Sequence, residues 1–232
     1  MGHIGIIGAM DEEVAKIKEN MSNIKITQKA SMDFYEGTLN GKDVVVVRSG
    51  VGKVNAAVCT QILIDIFEVE AIINTGIAGS LRNEINIGDI VISTDVLHHD
   101  MNAVEFGYPK GQIPRMECLA FEGDEHLRKI AKVISGEVNP GVQVFEGRVV
   151  SGDQFIADDE RKYQIVSDFA GYCTEMEGAA IGQAAYLNQI PFVIIRAISD
   201  KADHSANMDY PAFEKMAIEN SVKLIQGMME SM

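Results

Sequence analysis

An aspartate that ends an apolar run is a candidate proton donor, and Asp200 has that position. The run Pro191-Phe192-Val193-Ile194-Ile195-Arg196-Ala197-Ile198-Ser199-Asp200 climbs out of a buried-strand pattern into a polar loop. Upstream, Thr174-Glu175-Met176-Glu177-Gly178-Ala179-Ala180 sets two acids at the start of a small-residue helix. At the other end of the chain, Gly5-Ile6-Ile7-Gly8-Ala9-Met10-Asp11-Glu12-Glu13-Val14 places three more acids where a strand gives way to a helix. Acids at three strand ends fit one carboxylate-driven site, able to protonate a leaving group, activate water and support positive charge. Each also has a structural use. Asp200 can cap a loop, and Thr174 with Glu177 fits a capping box. Asp11, Glu12 and Glu13 would all favour the helix dipole as exposed first-turn acids, so local physics does not select Glu13 over Glu12.

These residues need elements to hold them. Apolar runs of strand length occur at Ile4 to Ile7, Val44 to Val47, Ala71 to Ile73, Ile90 to Ile92, Val149 to Val150 and Phe192 to Ile195. Helical patterns lie between and after them: Asp11 to Asn20, Lys53 to Phe67, Asp124 to Ile134, Asp158 to Val166, Glu177 to Leu187, and Pro211 to about Met229. For the last, Asp209 serves as cap and Pro211 stands in the first turn, where a missing N–H costs little. Strands alternating with helices predict an α/β fold with a largely parallel or mixed sheet covered on both faces. A chain of 232 residues that is 47% hydrophobic is expected to form one domain, spanning 1–232. The longest irregular stretch, His98 to Phe121, has the character of a functional or interfacial loop.

Charge narrows the partners. A formal net charge of −14 argues against nucleic acid or an anionic membrane surface and favours a small neutral or cationic substrate. Cys59, Cys118 and Cys173 are far apart and in no CxxC spacing, so neither a disulfide framework nor a zinc site is indicated and a reducing, cytoplasmic location is expected. No apolar run approaches the ~20 residues needed to span a bilayer. His98 and His99 adjoin Asp100, but neighbours on an extended segment point to opposite faces, which disfavours joint metal ligation. His204, in the polar loop after Asp200, reads as a solvated or lid residue.

Glycine recurs at the strand ends. Gly5-Ile6-Ile7-Gly8 lacks the spacing of a dinucleotide fingerprint. Ser49-Gly50-Val51-Gly52-Lys53 mimics part of a phosphate loop, without its earlier Gly or the Ser/Thr after Lys. With Asn74-Thr75-Gly76-Ile77-Ala78-Gly79-Ser80, these runs suggest tight turns or places where a ligand approaches the backbone closely.

Taken together and in this order, the motifs resemble those of the 5′-methylthioadenosine/S-adenosylhomocysteine nucleosidases, from Gly5-Ile6-Ile7-Gly8-Ala9-Met10 and Ser49-Gly50-Val51-Gly52-Lys53-Val54 through Asn74-Thr75-Gly76, Phe106-Gly107-Tyr108 and Val150-Ser151-Gly152-Asp153 to Glu175-Met176-Glu177 and Arg196-Ala197-Ile198-Ser199-Asp200. The resemblance implies a single-domain, three-layer, nucleoside phosphorylase-like α/β fold with a central mixed sheet flanked by helices. It also implies a homodimer and a role in methionine salvage. The reaction implied is cofactor-free and metal-free hydrolysis of the N-glycosidic bond of 5′-methylthioadenosine, S-adenosylhomocysteine and 5′-deoxyadenosine, releasing adenine.

By the same resemblance, Asp200 protonates adenine N7 with Ser199 orienting it, Glu13 activates water, and Glu177 binds the ribose hydroxyls and supports the oxocarbenium-like state. A helix N-terminus would keep Glu177 ionised. Met176 packs on the sugar, and Glu175 and Arg196 lie near the water site, with simple neutralisation of the acids as the alternative role for Arg196. Phe155 stacks on the purine while Ile156 belongs to the segment that reads its edge. Met10, Val51 and Tyr210 form the apolar 5′ pocket, Ala103 and Phe106 enter it from the partner subunit, and Ala9, Ala78 and Gly79 complete the lining. Two departures stand out: Ile77 replaces the family's usual Ser, removing a polar group near the ribose or water, and Tyr210 stands where Phe is frequent. Two rivals are a purine nucleoside phosphorylase, for which Arg48 is the candidate phosphate ligand, and a non-catalytic nucleoside-binding protein.

Overall fold

The computed structural model describes residues 2–232. Its ten strands are β1 (Ile4–Gly8), β2 (Ser22–Lys29), β3 (Met32–Leu39), β4 (Lys42–Arg48), β5 (Ala71–Ser80), β6 (Ile90–His98), β7 (Phe121–Glu122), β8 (Val144–Ser151), β9 (Cys173–Glu175) and β10 (Phe192–Asp200). The helices are α1 (Asp11–Glu19), α2 (Lys53–Phe67), α3 (Glu125–Val138), α4 (Asp159–Phe169), α5 (Gly178–Leu187) and α6 (Ala206–Ser231). They build a single-domain α/β fold around one mixed sheet, in the order β10-β6-β8-β9-β5-β1-β4-β3-β2 with β7 on β6. Because β10 also pairs with β5, that end of the sheet curls back on itself.

Alternation along the strands shows why both faces are covered. Val44 and Val46 of β4 enter one apolar cluster with α1, α3 and α6, while Val45 and Val47 enter the other with α2 and α5. β10 divides in the same way, Val193, Ile195 and Ala197 against Phe192, Ile194 and Ile198. A period of two with apolar residues on both sides is what a strand between two helical layers requires. Among the described residues no helix is long and apolar enough to cross a membrane.

The six expected helices are present, with Asp124 and Asp158 capping α3 and α4 by accepting from the amides of Leu127 and Arg161, both at 2.8 Å. The last helix is corrected. It begins at Ala206, not near Pro211, and Asp209 lies inside its first turn. The reason is a turn just upstream, where Asp203 Oδ1 accepts from both the amide and the hydroxyl of Ser205. Pro211 therefore sits within the helix, at the mouth of the site. The sequence reading finds β4 but passes over β2 and β3, the other two strands of its meander. β2 is a mostly exposed edge strand whose only alternating apolar residues, Ile24 and Ile26, stay exposed, and its turn, Ala30-Ser31, takes positive φ at both residues (47° and 60°) without the Gly or Asn that would announce it.

Candidate active site

The carboxyl ends of β1, β5, β9 and β10 meet the start of α5 and the first turns of α6 around a cavity of about 400 Å³, a size suited to a small organic ligand. Its lining brings together Ala9, Met10, Glu13, Val51, Ala78, Gly79, Phe155, Glu175, Met176, Glu177, Arg196, Ser199, Asp200 and Tyr210 from the expected set, and adds Ile77, Thr174, Asn207 and Pro211. Three expected residues stand elsewhere. Ile156 packs its side chain in a separate apolar cluster with Leu97, Ile165 and Phe169; Ala103 and Phe106 lie off the cavity, and Phe106 is 82% exposed.

Burial separates Glu13 from its neighbours: it is 3% exposed, whereas Asp11 and Glu12 face solvent. Its Oε2 accepts from the amides of Ala9 (2.6 Å) and Met10 (3.0 Å), and Oε1 from that of Ile77 (3.2 Å). Three donors occupy three of a carboxylate's roughly four acceptor sites, which leaves one for a water. Burial pushes its pKa up, against Arg196 and those three amides. Ile77 contributes through its backbone, so the missing hydroxyl does not touch this contact.

Arg196 is 1% exposed and sits among the acids. Its Nη2 donates to Asn74 Oδ1 at 2.6 Å and to Glu175 Oε2, and lies 3.6 Å from Glu177 Oε2; Nη1 reaches the Ile77 carbonyl at 3.4 Å. Gly76 makes this packing possible. A Cβ there would lie 2.2 Å from Arg196 Nη1 and 2.5 Å from Glu13 Oε1. Gly79 does the same for Asp200, whose Oδ1 would be 2.7 Å from an added Cβ. At both glycines, Gly76 in the middle of β5 and Gly79 near its end, it is therefore the protein's own charged groups that approach the backbone.

The capping box does not form. Thr174 Oγ1 is buried without a partner, and Glu177, the residue before α5, sends Oε1 to the Gly52 amide at 2.8 Å. The expectation that a helix N-terminus keeps Glu177 ionised is also corrected. Burial, reinforced by the charge of Glu175, raises its pKa to about 7 against Arg196 and the Gly52 amide.

At Asp200, the pairing of β10 with β5 slips, so that Ile198 faces Ala78 and Asp200 faces Gly79. Such irregularities re-aim side chains. Asp200 is 2% exposed; Oδ2 accepts from Ser199 Oγ and Oδ1 from the Ala202 amide, both at 2.8 Å. Burial raises its pKa in spite of these donors, and Asp209 and Asp203 push it the same way. A carboxyl pushed toward its protonated form, in the same cavity as one that has a guanidinium near it and an acceptor site unfilled, has the parts of an acid–base pair.

The remaining motifs fall outside this chemistry. In the loop that mimics a phosphate site, Gly52 N goes to Glu177, Lys53 N to Asp153 and Lys53 Nζ to Asp100, so its lysine and the two amides around it are already spent on carboxylates. Arg48 is half-exposed and pairs with Asp11 at 3.3 Å, away from the cavity. His98 bonds Gln183 at 3.0 Å, His99 is held near a pKa of 4 by burial, and exposed His204 pairs with Asp159 at 2.8 Å. Phe155 meets Tyr210 edge to face at 5.9 Å, and the Tyr210 hydroxyl donates to Glu214 Oε1 at 3.1 Å.

The family model of the phosphorylase superfamily matches residues 3–230. A 5′-methylthioadenosine/S-adenosylhomocysteine nucleosidase of Exiguobacterium sp. is 42% identical over 225 residues, covering 97% of this chain and 96% of the relative. One from Anoxybacillus flavithermus is 42% identical over 231 residues, covering 99% of each. Among solved structures, the Neisseria meningitidis nucleosidase in complex with methylthio-immucillin-A superposes with a TM-score of 0.96 at 39% identity over 100% of both chains.

Proposed function

The chain belongs to the 5′-methylthioadenosine/S-adenosylhomocysteine nucleosidase family of the phosphorylase superfamily, and from that premise we propose that Glu13, Glu177 and Asp200 divide between them the hydrolysis of 5′-methylthioadenosine, S-adenosylhomocysteine and 5′-deoxyadenosine. As the C1′–N9 bond breaks, its electron pair moves into the purine and Asp200 delivers a proton to N7. Positive charge left on the ribose is met by Glu177, which also accepts from the sugar hydroxyls. Water, held by Glu13, forms the new C–O bond at C1′ and gives Glu13 its proton. Free adenine leaves. The two carboxyls then return to their starting states by exchange with solvent.

The observation that carries this reading is the pairing of one buried cation with the acids of the cavity. Arg196 is the only Lys, Arg or His among the described residues that lines it, and its charge is matched by Glu175 and Glu177. A phosphorylase needs cationic groups free to hold phosphate; Arg48 stands outside and the Lys53 loop is occupied. Phe155 stacks on adenine, backbone groups of the Ile156 segment read its edge, Met176 packs on the sugar, and Met10, Val51 and Tyr210 receive the 5′ substituent. The working form is a homodimer in which Ala103 and Phe106 close that pocket on the partner, a reading motivated by the exposure of Phe106 away from this chain's own cavity.

Adenine release from 5′-methylthioadenosine in phosphate-free buffer containing a chelator tests the whole. Turnover is expected with a free 5-methylthiopentose as the second product. Strict dependence on phosphate, with a ribose 1-phosphate product, would reassign the protein to the phosphorylases.

A further inference from the structure

The first amides of a helix need acceptors from outside it, and these are normally supplied by the side chain of the residue before the helix. In α5 that residue is Glu177, yet its side chain accepts none of them. Glu175 Oε2 accepts instead from the amides of Glu177 (3.1 Å) and Gly178 (2.8 Å), and Ser151 Oγ accepts from Ala179 (2.7 Å). The Ser151 hydroxyl donates onward to Glu175 Oε1, and Arg196 Nη2 donates to Oε2. Three of these donors meet on Oε2 and one on Oε1. Glu175 lines the cavity, but both of its oxygens are engaged by the protein itself, Oε2 by the start of α5 and Arg196 and Oε1 by Ser151. Ser151 is fully buried at the end of β8, and the parallel register sets it opposite Glu175 of β9, so the pair is anchored in the sheet.

We infer that Ser151 and Glu175 are positioning residues that cap α5 in place of Glu177 and so leave an oxygen of Glu177 open to the sugar. A Glu177 that closed its own helix end, as the Thr174-Glu177 spacing suggests, would spend that oxygen on backbone. With the Ser151–Glu175 pair doing so, Glu177, which lines the cavity, keeps Oε1 on Gly52, while Oε2 stands 3.6 Å from Arg196, beyond hydrogen-bond range. The assignment rests on the reading that Glu177 meets the ribose.

Two variants test it. The charged groups facing Glu177 are Glu175 from β9, Arg196 from β10 and Glu13 from α1. Glu175→Gln removes a like charge and frees Arg196 to act on Glu177, so the acid limb of kcat/KM, set by ionisation of Glu177, moves to lower pH by roughly 1 unit. KM for 5′-methylthioadenosine at the pH optimum should stay within about twofold of the parent, because a carboxylate engaged in capping α5 is not a substrate ligand. Ser151→Ala strips the donor from Glu175 and the acceptor from Ala179; kcat should fall roughly tenfold with KM little changed, and Ser151→Thr, which keeps the hydroxyl, should recover it.

Thermal melts establish that the variants fold, and if Ser151→Ala does not, Glu175→Gln decides alone. An unmoved acid limb with a raised KM in Glu175→Gln would make Glu175 a substrate ligand and overturn the inference. So would parental kcat in Ser151→Ala, or an equal loss in Ser151→Thr. A parent protein that releases no adenine would instead refute the function itself.

Discussion

Replacing Arg196 by Met removes the one cation that offsets three buried carboxylates while keeping much of the side chain's apolar volume. The guanidinium now faces Glu175 and Glu177 directly and Glu13 at longer range. Breaking a buried ion pair from one side costs about 3–5 kcal/mol, chiefly because the other charge is stranded. For 232 residues at about 2.1 cal/mol/K each, the unfolding entropy is roughly 0.5 kcal/mol/K, so Tm should drop by about 6–10 °C. The loss must depend on pH. Glu177 titrates at about 7 in the folded protein against an ordinary 4.5, and without Arg196 its pKa and that of Glu13 rise further. A carboxyl whose folded pKa lies above its unfolded value favours the fold while protonated, and that contribution is lost as pH rises from the unfolded toward the folded value. The Tm deficit of Arg196→Met should therefore be small near pH 5 and grow toward pH 8, read by circular dichroism melts across that range. A deficit of constant size would show that the damage is lost packing, and would refute the charge argument.

Asp200→Asn preserves both contacts of the side chain, since its carbonyl can accept from Ala202 and its amide can donate to Ser199. Its kcat on 5′-methylthioadenosine should fall ~10²- to 10⁴-fold, with near-parental activity on a substrate whose leaving group departs unprotonated; parental kcat on 5′-methylthioadenosine would remove Asp200 from the mechanism. Glu13→Gln should lower turnover by a similar factor while nucleoside binding, measured by calorimetry, persists; Glu12→Gln, at an exposed site, should behave as the parent, and the reverse pattern would move the base by one residue. Gly76→Ala drives a methyl into Arg196 and Glu13, and displacement on that scale should cost about 10²-fold in kcat; an active Gly76→Ala enzyme would mean the two side chains are not held as described. Phe106→Ala should raise KM for apolar 5′ substituents and weaken self-association in sedimentation experiments, and unchanged values of both would detach this loop from the neighbouring site.

Much of this architecture is legible because the central strands carry their burial in their sequence. Val44-Val45-Val46-Val47 and Phe192 to Ile195 can only be strands apolar on both faces, and each ends at the edge where polar groups gather. Edge strands carry no such record: β2 is solvated, and its partner pairing is set by the two turns, of which only Asn40-Gly41 has the chemistry expected of a two-residue hairpin. Within the site, residue types announced the acids, but local spacing could not separate Glu13 from Glu12, because that choice depends on the amide of Ile77 arriving from another strand. Ser151 shows the same limit. It reads as an ordinary serine before a glycine, and its role appears only when β8 lies beside β9.

The three proposed catalytic acids share one physical condition, burial, with a single guanidinium acting on Glu13 and Glu177, and it acts differently on their three tasks. Desolvation raises all three pKa values. For Asp200 this is the required direction, because a leaving-group acid must hold its proton near neutrality. It also suits Glu13, since a base with a raised pKa takes a proton from water more readily, provided Arg196 keeps it ionised at rest. For Glu177 the same burial is a cost, as a group that must face a sugar cation spends part of its time neutral near pH 7. The cation itself resolves this. In the proposed reaction the charge developing at C1′ lies beside Glu177, where burial strengthens attraction between opposite charges, so the ionised form is favoured most as the glycosidic bond breaks. Stabilisation that is weak in the ground state and strong in the transition state lowers the barrier and not merely KM, and the Ser151–Glu175 cap leaves the oxygen that delivers it unspent.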